Sequence, residues 1–162
     1  LKTSISGIKN VELFDLNEAA VPTQSPQVIC IDNLDVNIND YHPNSALLHS
    51  DENNVIEESL YSDLFKSNCP VTNQPDWGSV NVSYKGPAIS REGLLAYLVS
   101  YRLHNDYHEN CVENIFVDIQ EKCKPESLTV KANFLRRGGL DINPIRSTHA
   151  ENLIAMPRFV RQ

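Results

Sequence analysis

Short runs of alternating apolar and polar residues, interrupted by longer stretches with helical spacing, organise this chain. Residues 8–16 carry Ile8, Val11, Leu13, Phe14 and Leu16 and read as a strand, followed by a turn-rich stretch with Pro22, Ser25 and Pro26. Val28 to Ile38 alternates in part (Val28, Cys30, then Leu34, Val36, Ile38) and again reads as strand. Residues 40–54 are polar, with His42-Pro43-Asn44 and Asp51-Glu52-Asn53-Asn54, and predict a loop. In 55–68 the pairs Val55/Ile56, Leu60/Tyr61 and Leu64/Phe65 recur about every four residues, which by periodicity favours a helix. Trp77 to Tyr84 alternates through Val80 and Val82 and predicts a strand ended by Lys85-Gly86-Pro87.

Ser90 is a good N-cap for a helix through Glu92-Gly93-Leu94-Leu95-Ala96-Tyr97-Leu98. A second helix is predicted from about Asp106 to Lys122, with Cys111, Val112, Ile115, Phe116 and Ile119 on one stripe and Pro125 as its stop. Leu128 to Phe134 reads as a strand, Arg136-Arg137-Gly138-Gly139 as a turn, and Leu140 to Arg146 as a short strand. From residue 77 the order is strand, helix, helix, strand, strand. Two helices over an antiparallel sheet is an α+β layer design. The segment 6–18 (SGIKNVELFDLNE) faintly echoes 126–138 (ESLTVKANFLRRG), which suggests that residues 1–40 are the tail of an earlier repeat of the same unit.

Composition narrows the class. The chain has 162 residues, enough for one domain with a core, and is 41% apolar and 22% charged, a globular balance. A run of about 18 apolar residues, the length of a membrane span, is missing, so no membrane partner is expected. The start, Leu1-Lys2-Thr3-Ser4, has neither an initiator Met nor a secretory pattern, as expected of a fragment or a processed piece. Cys30, Cys69, Cys111 and Cys123 are scattered without a C-x-x-C pair, which points to a reducing cytoplasm and not to a disulfide scaffold. The net charge of -7 argues against bulk nucleic-acid binding. Charge is uneven: residues 1–130 hold 8 basic and 19 acidic side chains, and residues 131–162 hold 6 basic and 2 acidic. The basic end could meet an anion such as a nucleotide phosphate, or pair with acidic surface across the fold or a subunit interface.

Candidate chemistry concentrates in Cys69-Pro70-Val71-Thr72-Asn73-Gln74-Pro75-Asp76-Trp77-Gly78, which holds a thiol, a carboxylate and the chain's only tryptophan. Its prolines restrict the path of what reads as a shaped loop. Such a loop can hold a thiol and an acid against one reacting atom, as covalent catalysis requires. Read without further context, Cys69 could equally be a buried structural thiol and Asp76 a turn cap. His104 and His108 are spaced one helical turn apart and could mimic a metal pair, but no third ligand and no H-E-x-x-H motif accompanies them, so no metal is expected.

Three blocks, SNCPVTNQPDWGSV at 67–80, EGLLAYLVSYRLHNDYHENCVENIF at 92–116 and RRGGLDINPIRS at 136–147, carry a specific resemblance. They resemble the NADPH-dependent 7-cyano-7-deazaguanine (preQ0) reductases, nitrile reductases of queuosine biosynthesis, a tRNA modification. The closing RFVRQ resembles the end of the two-module members. The resemblance implies the tunnelling fold, with a four-stranded antiparallel sheet and two helices per unit. It makes 55–68 the first strand of a unit, against its helical periodicity. It divides the chain into 1–50, the last two strands of a preceding unit plus a connecting loop; 51–148, a complete catalytic unit; and 149–162, a tail.

The implied chemistry is reduction of the preQ0 nitrile to the aminomethyl group of preQ1 with two NADPH, through a covalent thioimide on Cys69. Asp76 would transfer protons for the thiol and the nitrile nitrogen, with His108 assisting. Glu109 would take ring N–H groups of the deazapurine, Tyr107 would cover the ring, and Glu58 would line the site. Arg136, Arg137, Gly138 and Gly139 would meet the NADPH. The family's cofactor motif, Glu-Ser-Lys-Ser-x-Lys-x-Tyr, is not matched: here Ser90-Arg91-Glu92-Gly93-Leu94-Leu95-Ala96-Tyr97 lacks its lysines, and in two-module members the motif lies in the first module. A non-catalytic module that binds a deazapurine or assembles with a partner half is the alternative. A thiol peroxidase with a sulfenic acid at Cys69 is a third, and it would call for a resolving cysteine nearby. Barrel closure in this fold implies a homo-oligomer.

Overall fold

The computed structural model describes residues 28–149. The strand expected at 8–16, its half of the internal echo, and the tail from residue 150 lie outside the described residues. Six strands and two α-helices follow in order: β1 (Ile29–Cys30), β2 (Ser50–Asn68), β3 (Pro75–Ile89), α1 (Arg91–Ser100), α2 (His108–Cys123), β4 (Ser127–Arg137), β5 (Leu140–Ile142) and β6 (Ile145–Ser147), with short 3-10 turns at Ser45–Leu47 and Tyr101–Leu103. The strands make one sheet in the order β1-β2-β3-β4-β5, with β6 also on β4. All pairings are antiparallel except β1 on β2, a two-residue parallel match at Leu60 and Tyr61. α1 packs on β2 and α2 on β4, giving the expected α+β layers.

Residues 55–68 are strand, not helix. The near-fourfold spacing that imitates a helix comes from a bulge between Ser62 and Phe65, where β2 carries one more residue than β3. An extra residue reverses the in–out alternation, so Leu60 and Phe65 both reach the core although five positions apart. The predicted loop at 40–54 is shorter than expected, because β2 already begins at Ser50. Lys85-Gly86-Pro87 does not end β3, which stays paired to Ile89. Only Ile29–Cys30 of the stretch 28–38 is strand; Leu34, Val36 and Ile38 are instead half-buried against the core. The strand expected from Leu140 to Arg146 is two short ones, because Asn143 and Pro144 interrupt it.

Ser90 caps α1 as expected, its hydroxyl accepting from the Gly93 amide at 3.1 Å. Every residue from Gly93 to Ser100 is buried. A helix apolar all round needs cover on both sides. One side is β2; the other includes the segment before it. A Cβ on Gly93 would stand 2.5 Å from the Leu47 carbonyl oxygen, so only glycine permits this approach. α2 is amphipathic, burying Cys111, Val112, Ile115, Ile119 and Cys123, while Phe116 is half-buried. It ends at Lys124, in a left-handed conformation at φ 49°, just before Pro125. Among the described residues no helix is long and apolar enough to cross a membrane.

Candidate active site

The site grows from the C-terminal end of β2. Asn68 is nearly buried, and its main chain bonds both ways to the segment that leads into α2: its N–H donates to the His104 carbonyl at 2.8 Å, and its carbonyl accepts from the Asp106 N–H at 3.1 Å. Its amide side chain donates to the carbonyls of Arg102 and His104, each at 3.1 Å. Asn105 extends this clasp by donating to the Asn73 side chain at 2.8 Å. The start of α2 is thereby fixed beside the loop that carries Cys69. His104 caps the 3-10 turn in extended conformation and α2 begins only at His108, so the two histidines do not share a helical face. Among the described residues no group of three His, Cys, Asp or Glu side chains converges as a metal site would.

The loop itself is short, residues 69–74, because Pro75 to Gly78 already belong to β3. It closes on itself through Cys69 N–H to the Gln74 carbonyl and Asn73 N–H to the Cys69 carbonyl, both at 2.9 Å. Asn73 turns the chain at φ 59°, a conformation asparagine adopts more readily than most residues. The turn aims the Thr72 hydroxyl and the N–H groups of Thr72 and Val71 at the Cys69 sulfur, in that order of effect, and these donors hold the thiol below its ordinary value. The Asp76 charge opposes them more weakly. Cys69 is part-exposed. An accessible thiol with donors directed at its sulfur is poised as a nucleophile. Cys111 and Cys123 are buried, and burial pushes their thiols up to about 12 and about 11, so neither is activated.

Asp76 is 2% exposed, and its alternation along β3 turns it to the helix side of the sheet. Its Oδ1 accepts from Arg137 Nε at 3.0 Å and also from Arg137 Nη2. The His108 Nε2 lies 3.3 Å from the same oxygen. That nitrogen is buried without a hydrogen bond, so the pair is close but not aligned. Phe134 holds the His108 ring from the side, with centroids 4.3 Å apart at 79°. Phe134 in turn contacts Phe65, and Phe65 contacts Tyr101. Gly78 lies opposite Phe134 in the β3–β4 register, and a Cβ there would come within 3.1 Å of the Phe134 ring.

The structure brings Cys69, Asp76, His108 and Arg137 to one end of the sheet, with Tyr107 and Glu109, both exposed, on the adjoining helix start. Gly138 and Gly139 make the turn after Arg137, at φ 57° and 82°. Arg136 lies on β4 and donates to Asp141 at 3.0 Å. Glu58 is elsewhere. It accepts from the Tyr84 hydroxyl at 2.7 Å and from Arg91 at 2.6 Å. Along β2 it stands nine positions from the Ser67–Asp76 pair, roughly 30 Å at about 3.3 Å per residue. One chain does not bring Glu58 to Cys69. The supporting residues Asn68, Thr72, Asn105 and Phe134 were not singled out from sequence. A polar residue ending a strand just before the cysteine was the one available signal.

A model of the QueF-like protein family matches residues 75–153. The NADPH-dependent 7-cyano-7-deazaguanine reductase of Hydrogenovibrio crunogenus (strain DSM 25203 / XCL-2) is 49% identical over 152 residues, covering 94% of this chain and 54% of that protein. Over residues 75–153 the chain is similar to the QueF-like family. The enzyme of the same name from Legionella pneumophila (strain Lens) is 55% identical over 140 residues, 85% of this chain and 49% of that protein. The chain thus spans about half the length of the curated QueF-like relatives it matches. Among solved structures, the apo form of the archaeosine synthase QueF-Like superposes with a TM-score of 0.50 at 18% identity, covering 57% of this chain and 91% of that one. At that identity the likeness speaks to the fold, which is the tunnelling fold of the family.

Proposed function

We propose that this chain is the catalytic unit of a preQ0 nitrile reductase of queuosine biosynthesis, with 51–148 as the complete unit and 1–50 as the end of a preceding one. The observation that carries the reading is the Cys69 thiol with donors directed at its sulfur, beside a buried carboxylate. In the first step the Cys69 sulfur bonds to the nitrile carbon. The thiol proton passes to Asp76 and from there to the nitrile nitrogen, so that S–H adds across C≡N and a thioimide results. Glu109 accepts ring N–H groups of the deazapurine, and Tyr107 covers the ring. His108 sits within reach of the Asp76 oxygen to assist the later proton deliveries.

NADPH supplies, when bound, the hydrides that take the adduct to the amine. The turn after β4 fits one edge of such an anionic cofactor. At Gly138 and Gly139 no atom lies within 4 Å of where a Cβ would be, which leaves that backbone open to a ligand. Arg136, Arg137, Gly138 and Gly139 would hold that edge. The missing lysines at Ser90–Tyr97 mean that the rest of the cofactor site comes from outside this unit.

The unit works as a homo-oligomer. Among the described residues β2 pairs on its outer side only with β1, at Leu60 and Tyr61, which leaves the edge from Ser50 to Ser59 for another chain. A second copy is also the way for Glu58 to approach a Cys69 site. Free thiols at Cys30, Cys69, Cys111 and Cys123 suit a reducing cytoplasm. The test is a near-ultraviolet spectrum of the protein with preQ0 and no NADPH. A new band is expected for the thioimide, absent in Cys69→Ala. An unchanged wild-type spectrum would favour the non-catalytic binding module.

A further inference from the structure

We propose that Arg137 is a positioning residue for the proton-transfer carboxylate, required for the addition of Cys69 to the nitrile before any cofactor takes part. The inference rests on the function proposed above and gives Arg137 a task besides meeting the cofactor. Arg137 is brought to Asp76 by a specific irregularity. Between Phe134 and Arg137 β4 runs three positions while β5 runs only two, from Ile142 to Leu140. In an unbroken alternation Phe134 and Arg136 would share the helix side of the sheet, and Arg137 would face away. The extra residue reverses the phase and turns Arg137 toward the side where Phe134, Asp76 and His108 meet. The left-handed glycines at 138 and 139 then carry the chain back into β5.

The contact is a clasp. Arg137 places Nε and Nη2 on Asp76 Oδ1, and the same Nη2 donates to the Pro75 carbonyl. A carboxylate 2% exposed is costly to ionise without a partner. His108, near the same oxygen, makes no hydrogen bond to it, so the guanidinium is the partner that pairs with Asp76 and fixes its rotation. An oxygen that already takes guanidinium donors is a poor acceptor for a further proton. Oδ2 is therefore the atom that receives the Cys69 proton and returns it to the nitrile nitrogen. Arg137 forms no bond to substrate in this step and no redox change occurs. The Arg137 side chain is 30% exposed, so solvent solutes can reach its place.

The experiment measures the rate of adduct formation with preQ0 in the absence of NADPH, in the wild type and in Arg137→Ala, Arg137→Gln and Arg137→Lys. Arg137→Ala should slow the adduct by about tenfold or more, a part of what a positioned proton-transfer group contributes. Arg137→Gln, closer in shape but uncharged, should be slow as well and stands in if the alanine variant fails to fold. Arg137→Lys should recover part of the rate, and millimolar guanidinium should speed Arg137→Ala or Arg137→Gln where urea does not. A wild-type rate in both uncharged variants would overturn the inference and leave Arg137 to the cofactor alone. Slowing that neither lysine nor guanidinium relieves would also overturn it, as a merely structural effect. A wild type that forms no adduct refutes the underlying function, and the inference with it.

Discussion

Asn68 offers the sharpest test of how the fold assembles the site. Its side-chain amide donates two hydrogen bonds, to the carbonyls of Arg102 and His104. Both carbonyls keep a second donor, Lys66 Nζ at 2.8 Å and the Asn68 N–H at 2.8 Å. Asn68→Ala therefore removes two bonds without orphaning either acceptor. At about 0.5–1.5 kcal/mol for each such bond, the loss should be about 1–3 kcal/mol. With about 2–4 °C per kcal/mol for a domain of this size, the melting temperature should fall by roughly 2–12 °C. Asn68→Asp is nearly the same shape but presents a carboxylate to two carbonyl oxygens. It should be worse than alanine, and worst at neutral pH where the acid is ionised. Thermal melts of the three proteins at acidic and neutral pH measure this. The adduct rate should fall along with stability, because the start of α2 loses its tie to the Cys69 loop. If Asn68→Asp melts as high as Asn68→Ala at neutral pH, the clasp described here is wrong.

Gly78→Ala should cost about 1–3 kcal/mol as an overpacked site, because Phe134 must yield to a Cβ at 3.1 Å; a denaturant titration reads it. Phe134→Ala empties a fully buried ring position and should cost about 3–5 kcal/mol, while freeing the His108 ring, visible as sharper His108 line shapes by NMR. The pH dependence of Cys69 alkylation should show a midpoint below that of an ordinary thiol, since hydrogen bonding favours the thiolate; Thr72→Val removes the leading donor and should move the midpoint upward, and an unmoved midpoint would count against the Thr72 contact. Cys111 and Cys123 are raised in the folded chain to about 12 and about 11 from an ordinary 9. Their contribution to stability is thus full below about pH 9 and is lost as the pH rises toward those values, so unfolding free energy should decline through that window and decline less in Cys111→Ala.

The elements with uninterrupted patterns were legible in the sequence. The Ser90 cap, the α2 stripe with its Pro125 stop, and the alternation of Val80, Val82 and Tyr84 all reappear in the structure. Periodicity alone misreads β2, where the bulge at Ser62–Phe65 shifts the phase and makes a strand count like a helix; the resemblance has it as a strand. The same device hid part of the site. A bulge before Arg137 is what sets this side chain on Asp76, and no local spacing announces it. Family blocks located Cys69, Asp76 and His108 but not the clasp that joins them, because Asn68 and Asn105 act through main-chain carbonyls distant in sequence. Glu58 was placed in the site by resemblance, whereas along β2 it stands nine positions from the Ser67–Asp76 pair.

The central claim is that Cys69 adds to the nitrile of preQ0. An intact mass of the protein incubated with preQ0 alone, followed by peptide mapping, tests it directly. One adduct of the full mass of preQ0 is predicted, on the peptide that carries Cys69 and absent from Cys69→Ala. No mass increase, or an increase that maps to Cys30 or persists in Cys69→Ala, would contradict the account.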